Sequence, residues 1–536
     1  MAARVLIQNF SDKYSKQFKL AHVNAQSLAN DVHFAEFQDI FQTADIDIII
    51  VTETFLKKSI RDESVALNGY IIIRNDREGA QCGGVAVYVK EKYASQVIQI
   101  SDNVYRGAPK PEYILMQLKW YDVSILITGV YRPPKSSQSS LDTLLDDMYN
   151  YIFNYDYVFM LGDINGRFGC DTFESNSIIN FLSNLNLTKI NFLPTFHCTY
   201  ADTNLDLLAS NCPELILKYG QIPVPGLSGH DMIFAAFDIA TPAYKPKLIT
   251  YRDFKLFNAD NFRNYVANQR WHDLVKLNSA DEKVNLFEKL LLEVYDTHVP
   301  LKTVKSMHKP TPWMTNEIRL MIENRDKLYT NYAKYKKKEL FAKAEEVWNL
   351  FKKARNKVKQ TIRNSKKRHL YSLFSGAKSN KILWNEVKKM GMMKSVCKNE
   401  ELVVTANELN EHYVNVARTS DFLTTANAIR YYNNQSVNVK DVFDFKYVSP
   451  LDIKKAIATI TSQATGFDNV SIATVKLCGD VLVPAIEHIF NYCLQNSVFP
   501  SRWKLAVIKP IAKIGRPTIC KDYRPVSILS VLANFF

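Results

Sequence analysis

No apolar run in this 536-residue sequence approaches the roughly 18 to 20 residues that a membrane-crossing helix needs, so no membrane partner is expected. Residues 1–14 mix charged and polar side chains and carry no signal-peptide apolar core, which argues against secretion and for an intracellular chain. The eight cysteines, at 82, 170, 198, 212, 397, 478, 493 and 520, include no pair separated by two residues, so a zinc knuckle or ribbon is not supported. Scattered thiols of this kind fit a reducing compartment and structural roles. There is no internal repeat, and no low-complexity segment apart from one Lys-rich stretch. The hydrophobic fraction of 47% is ordinary for a globular protein, and the length calls for about three to four domains, or one large domain with extensions.

What is present is an uneven charge. Residues 301–400 hold 26 Lys and Arg against 8 Asp and Glu, or +18, which leaves −4 for the other 436 positions of a chain with net charge +14. A local excess of that size points to a polyanion, because each cation placed near a phosphate releases counterions. The alternative is a solvated helical face.

Between residues 20 and 238, short apolar runs alternate with turn-rich or amphipathic stretches. Strands are expected at 46–51, 84–89, 114–118, 124–130 and 157–161, and helices at 32–43, 141–154 and 177–187. Several of the strands are apolar throughout, which suits a buried sheet covered by helices, an α/β sandwich. Thr241-Pro242-Ala243-Tyr244-Lys245-Pro246 reads as a linker. Beyond it, helices are expected at 259–265 and 281–299. Thr315 caps one long helix or two hairpinned helices that run to about 374, with Ile318, Met321, Ile322, Leu328, Tyr332, Tyr335, Phe341, Trp348 and Phe351 as a packing stripe. Residues 401–536 look mostly helical, with a short strand at 504–508.

Four strings in the first part border these apolar runs: Thr52-Glu53-Thr54, Tyr131-Arg132-Pro133-Pro134, Gly162-Asp163-Ile164-Asn165 and Ser228-Gly229-His230-Asp231. Phosphodiester hydrolysis needs charge neutralisation on the phosphate, an activated water in line and stabilisation of the leaving oxygen. Glu53 at a strand end can hold a hard divalent cation, which favours magnesium over zinc. Asp163 and Asn165, two apart, are expected to leave one face and converge, with Gly162 allowing a sharp turn; the Asp orients or deprotonates water and the neutral amide binds phosphate. The stiff Arg132-Pro133-Pro134 holds the Tyr131 phenol at its strand end. His230 stays cationic if a carboxylate accepts its other ring proton, and Asp206 is the candidate partner. Singly, these are a loop acid, a turn, an edge tyrosine and a loop histidine; the ordered set carries the reading.

On these strings, with His22-Val23-Asn24, Ser27-Leu28 and Leu205-Asp206-Leu207, residues 18–238 resemble the endonuclease/exonuclease/phosphatase family, and within it the apurinic-endonuclease-like domain of non-LTR retrotransposons. The resemblance implies that Asn24 and Glu53 hold the metal, Mg2+ or Mn2+, and that Tyr131 and His230 contact the scissile phosphate. It further implies that Asp163 activates water, Asn165 positions it and Asp206 orients His230. One departure concerns the metal environment: Gly229 stands where the family has an Asp, removing a negative charge. Asp231, on the other side of His230, is expected to face away in its strand.

Residues 401–536 resemble the opening of a non-LTR reverse transcriptase through Ala464-Thr465-Gly466-Phe467-Asp468, Phe499-Pro500-Ser501-Arg502-Trp503-Lys504, Ile511-Ala512-Lys513 and Asp522-Tyr523-Arg524-Pro525-Val526-Ser527. The resemblance puts Lys513 and Arg524 near an incoming triphosphate; surface charge in a turn is the plain alternative. After residue 400 no acidic pair resembles Tyr-x-Asp-Asp, so the region is expected to stop before the palm and not to polymerise DNA. The organisation expected is therefore a nuclease domain at 18–240, a basic helical connector at 241–400 and a partial, mostly helical fingers region at 401–536. The function expected is a metal-dependent DNA endonuclease that nicks target DNA for retrotransposition, with DNA and the element's RNA as partners and the nucleus as its place. The alternatives are a catalytically lapsed nucleic-acid-binding remnant, and a phosphatase or phospholipase on the same fold.

Overall fold

A strand that is apolar on both faces needs a cover on each. In β1 (Gln17–Asn24), Phe18 and Leu20 face one way and Ala21 and Val23 the other; in β2 (Ile48–Thr52), Ile48 and Ile50 oppose Ile49 and Val51. A computed structural model describes residues 3–169, 171–198, 201–242, 248–305, 311–375, 384, 387, 404–416, 429–431, 433–434, 445–462, 464–514, 517 and 519–536, and it supplies both covers.

The first sheet runs in the order β12 (Ile216–Pro223), β13 (Asp231–Ala240), β1, β2, β4 (Val85–Lys90) and β3 (Tyr70–Asn75). The second runs β10 (Phe196–His197), β11 (Asp202–Ser210), β8 (Tyr157–Phe168), β7 (Val123–Tyr131), β6 (Glu112–Trp120) and β5 (Ala94–Ile100), with the short β9 (Thr188–Lys189) beside β11. Between the sheets lie Phe18, Ile50, Val87, Met116, Ile127, Phe159, Leu208 and Phe237, all buried. Helices α1 (Ala3–Lys13) and α2 (Asp31–Phe41) set Ile7, Phe10, Phe37 and Phe41 against Val23, Val51 and Tyr88 on the outer face of the first sheet. Helices α3 (Asp142–Tyr149) and α4 (Phe173–Asn184) place Leu144, Met148, Ile178 and Phe181 on the outer face of the second. The expected α/β sandwich is present as four layers, helix, sheet, sheet, helix. Helix α1 was not expected; its short apolar stripe of Ala3, Ile7 and Phe10 gains meaning only from the sheet beneath it.

Gly162 does not make the turn that its place in the sequence suggests. Strand β8 continues through it to Phe168, and a Cβ at 162 would lie 1.7 Å from the Val130 carbonyl oxygen, so the glycine is required by the close approach of β7.

The chain divides into two compact units, each built from two stretches: Met1–Lys245 with Met307–Val396, and Pro246–Ser306 with Cys397–Phe536. The segment 241–400, expected as one connector, is thus shared between them. In the second unit, β14 (Leu248–Arg252) pairs with β15 (Leu301–Lys305), and between them α5 (Ala259–Ala267) and α6 (Ala280–His298) bury Phe262, Val284, Phe287 and Leu291. Their core is continuous with Ile453, Val475, Leu482, Ile486, Ile489 and Trp503. In the first unit, α7 (Asn316–Lys337) and α8 (Phe341–Ser375) form a helical hairpin whose Ile318, Val358 and Ile362 pack with Val32 and Ala35 of α2. Composition alone merges the two halves of the connector, because charge is a local property; their apolar faces find different partners. The expected stripe packs in part: Tyr332 meets Trp348 ring to ring, and Phe351 meets Tyr329, a residue outside the stripe, whereas Phe341 is exposed. The expected linker core at 243–247 and most of 376–400 lie outside the described residues. Among the described residues, no helix is long and apolar enough to cross a membrane.

Candidate active site

The inward row of each central strand changes from apolar to polar at one end of the sandwich. Phe18 and Leu20 give way to His22 and Asn24 on β1, and Ile48 and Ile50 to Thr52 on β2. Ile125 and Ile127 lead to Tyr131 on β7, Phe159 and Leu161 to Asp163 on β8, and Leu208 to Asp206 on β11. Since side chains alternate with a period of two, each polar residue inherits the direction of the apolar residues before it. At Gly129 the sheets come close: a Cβ there would meet methyl groups of Ile50 and Val87 at 3.2 Å.

The cluster is internally bonded. The Asn24 amide donates to Asp163 Oδ2 at 2.9 Å, and the Asn165 backbone N–H to Asp163 Oδ1 at 3.1 Å. His230 Nδ1 lies 3.0 Å from Asp206 Oδ2, and its Nε2 is 3.9 Å from Asp163 Oδ2. The Tyr131 hydroxyl donates to Glu53 Oε1 at 3.3 Å. Glu53 adopts φ +50°, in the left-handed region. The backbone around it is tied on both sides, Ala25 N–H to Thr52 O, Ser27 N–H to Glu53 O and Thr54 N–H to Gly84 O. A strained residue held by such bonds is a feature of functional sites.

The structure therefore brings Asn24, Glu53, Tyr131, Asp163, Asp206 and His230 together. Asn165 departs from the expected convergence: at φ +51° it breaks the strand alternation, and its amide donates to the Arg132 carbonyl at 2.9 Å. Asp231 faces away as expected, toward Gln221 and His197. Lys513 and Arg524 belong to the second unit, at one end of a two-stranded hairpin, β16 (Val507–Ala512) with β17 (Tyr523–Ile528). Both are exposed, and Lys513 Nζ donates to the Lys521 carbonyl.

Burial sets the electrostatics. Alone it would lower His230, but the Asp206 and Asp163 carboxylates outweigh it and raise the imidazole to about 9. Asp163 is raised by burial and by the nearby Asp206 and Glu53 charges, against His230 and Asn24. In Asp206, burial is overcome by His230 and the carboxyl is lowered. Burial, with Glu53 and Asp163, pushes the Tyr131 phenol up, so it remains a donor.

Several residues of the cluster carry no role in the sequence reading. His22, fully buried, bonds Thr52 Oγ1 at 3.0 Å through Nε2 and lies 3.5 Å from Asp206 through Nδ1; burial lowers it to about 4 despite Asp206, so it is neutral. Its parity with Leu20 and Asn24 is the signal that could have found it. Arg77 ion-pairs with Glu112 and lies 5.6 Å from the Tyr131 ring centre. Thr195 Oγ1 accepts the Asp206 N–H at 3.2 Å, and the Phe196 ring sits 4.7 Å from that of His230. No local pattern links these to the site.

The residues fit a hard divalent cation. Glu53 offers a half-buried carboxylate and Asn24 a carbonyl oxygen, and magnesium is commonly held by one or two carboxylates together with waters and substrate phosphates. Gly229 adds no carboxylate to that set. Asp163, Asp206 and His230 also bring ligand atoms within 4.8 Å of one another. With both ring nitrogens of His230 facing carboxylates, this trio is arranged as an ion-pair network.

No family model matches the chain. Over 94 residues it is 32% identical to a probable RNA-directed DNA polymerase from transposon BS of Drosophila melanogaster, a match covering 17% of this chain and 10% of that protein. The match thus spans about a tenth of the length of that relative. Among solved structures, an AP endonuclease from Leishmania major aligns over 42% of this chain and 89% of its own, at 13% identity and TM-score 0.35. The endonuclease domain of TRAS1, a telomere-specific non-LTR retrotransposon, aligns over 41% and 98%, at 16% identity and TM-score 0.33. The chain is thus an α/β sandwich with a helical second unit, similar in part of its sequence to the RNA-directed DNA polymerases of mobile elements.

Proposed function

We propose that the first unit is a magnesium- or manganese-dependent phosphodiester hydrolase, the DNA-nicking endonuclease of a retroelement. The observation that carries this reading is the convergence of Asn24, Glu53, Tyr131, Asp163, Asp206 and His230 at one end of the two sheets. In the mechanism, cationic His230 binds the scissile phosphate and Asp206 holds its ring through Nδ1. Tyr131, kept protonated, donates a second hydrogen bond to that phosphate. Asp163, held at both oxygens by Asn24 and the Asn165 backbone and raised toward neutrality, accepts the proton of the attacking water. Asn165 acts by fastening β8 to the Arg132 carbonyl, which positions Asp163. Glu53 and Asn24 hold the cation, which when bound would neutralise charge on the phosphate.

DNA as substrate is supported by α8. Its exposed Lys352, Lys353, Lys357, Arg363, Lys367 and Arg368 lie on the face opposite the packed Phe351, Val358 and Ile362. The match to RNA-directed DNA polymerases supports a transcriptase-like region in the chain. The motif resemblance puts that region in the second unit, with Lys513 and Arg524 as vestigial triphosphate contacts and the element's RNA as a further partner. Access to chromosomal DNA makes the nucleus the place of action.

The test is nicking of supercoiled plasmid by the full chain with magnesium. The parent nicks, whereas Glu53→Ala and His230→Ala do not. A parent chain that leaves plasmid intact yet binds DNA in a salt-sensitive way would instead support the lapsed remnant, the reading that Gly229 favours. Hydrolysis of phosphomonoesters or phospholipids with DNA untouched would support the phosphatase or phospholipase.

A further inference from the structure

Helix α2 is buried on two sides. Phe37 and Phe41 face the sheet, as an amphipathic helix requires, yet Glu36 and Asp39 on its polar side are also buried. Their partners come from almost 300 residues along the chain: Arg325 of α7 grips Glu36 at 2.7 and 2.9 Å, and Arg319 reaches Asp39 at 2.9 Å. Arg325 and Glu36 are 2% and 4% exposed, so this pair is out of water.

What surrounds the pair is the approach to His230. A Cβ on Gly226 would lie 1.8 Å from Glu36 Oε2 and 2.3 Å from Arg325 Nη1, so the backbone at 226 is seated on the ion pair. From there the chain turns through bonds from Leu227 and Ser228 N–H to Val224 O, and Ser228 Oγ accepts the His230 N–H at 3.1 Å. Eleven residues after Arg325, on the same helix face and about 16 Å farther on, Lys336 Nζ donates to Cys198 O at 2.8 Å and to Asp202 Oδ1 at 3.0 Å. These residues belong to the segment that carries Phe196 and His197. The His197 N–H donates to Gly229 O at 3.0 Å, its ring bridges Asp202 and Asp231, and the Phe196 ring lies against His230. His230 is thus held between two segments, 224–229 and 195–198 with the start of β11 at Asp202, and α7 touches both.

We propose that α7 is a positioning element of the active site: Arg325 and Lys336, from outside the 18–240 sandwich, fasten the two segments that hold His230. The helical hairpin is then part of the nuclease as well as a basic surface. This inference rests on the reading of His230 as the phosphate-binding histidine, and two readouts keep them apart.

The full chain is compared with Lys336→Met, Lys336→Arg and, as a control on the exposed side of the same helix, Lys337→Met. Hydrogen exchange is followed over 195–203 and 224–231, and nicking is resolved into kcat and KM. Lys336→Met speeds exchange in 195–203 and 228–231 while α3 and α4 stay protected; it lowers kcat about tenfold or more with KM within about twofold, as misplacement of a catalytic group does. Lys336→Arg restores both, and Lys337→Met changes neither. A second arm replaces the buried cluster together, Glu36→Gln and Asp326→Asn with Arg325→Met, because Arg325 also pairs with Asp326 at 2.8 Å and the triple change leaves no stranded charge; exchange then rises over 224–231. Unchanged exchange in both segments for both arms overturns the proposal. So does a raised KM at unchanged kcat, which would make Lys336 a DNA contact. A parent that does not nick counts against the nuclease reading, and the exchange pattern still decides the positioning role.

Discussion

The site end of the sandwich and the β16–β17 hairpin both bear polar residues that short sequence strings single out, but the two surroundings differ. Asp163, Asp206 and His230 are buried, bonded across β1, β8 and β11, and shifted in their protonation by one another. Lys513 and Arg524 stand in solvent at the end of a two-stranded sheet, and Lys513 bonds to its own hairpin. Burial makes the first group chemically distinctive, because a charge removed from water is worth several times more to its neighbours than one left in it. The same residue types at a surface remain ordinary side chains.

The largest expected effect tests this contrast directly. Glu53→Ala or His230→Ala lowers plasmid nicking by about a hundredfold or more, whereas Lys513→Ala and Arg524→Ala leave it unchanged. Equal losses from both pairs in the same nicking assay would break the comparison.

The next test uses pH without requiring activity. His22 is neutral when folded, lowered to about 4, while its unfolded form takes up a proton below about 6.5. Its contribution to stability is therefore full above pH 6.5 and falls as the pH drops toward 4, by roughly 3 kcal/mol over that range. His230, raised to about 9, acts in the opposite sense: its contribution is full below pH 6.5 and is lost as the pH rises toward 9. Urea unfolding of the first unit in chelator is expected to show the acid-side loss in the parent, and a flatter profile between pH 6.5 and 5 for His22→Asn. Parallel profiles would remove His22 from the account.

The smallest effect concerns Gly229. A Cβ there meets His197 O at 3.2 Å and a Phe196 ring carbon at 3.3 Å, contacts that a few tenths of an ångström relieve. Gly229→Asp is expected to lower the magnesium concentration for half-maximal nicking severalfold. An unchanged or higher requirement in a magnesium titration would count against a missing carboxylate as the limit.

Much of the site was legible because Glu53, Tyr131, Asp163 and His230 border apolar strand runs, whereas Asn24 entered through the family resemblance and Asp206 as a carboxylate partner for His230. Glu53, Tyr131 and Asp163 follow such runs directly, Asn24 ends β1, Asp206 sits within β11, and His230 precedes β13. Asn165 was misread in its direction: two-residue alternation holds only for extended backbone, and φ +51° interrupts it. Gly162 was misread as a turn because its requirement comes from the neighbouring strand. Arg77, Glu112 and Thr195 were invisible, since nothing near them in the chain announces the partners they meet.

By itself the sequence determined where five of the strands fall and the kinds of chemical group at their ends, because these follow from local periodicity; which face of a strand apolar on both sides turns inward does not. Tertiary structure alone decided which groups are out of water and paired, that neutral His22 sits beside cationic His230, and that the connector divides between two units. It alone joined Arg325 to Glu36 and Lys336 to Asp202. Those outcomes depend on burial and on contacts between residues from 24 to 289 positions apart, and no local pattern carries either.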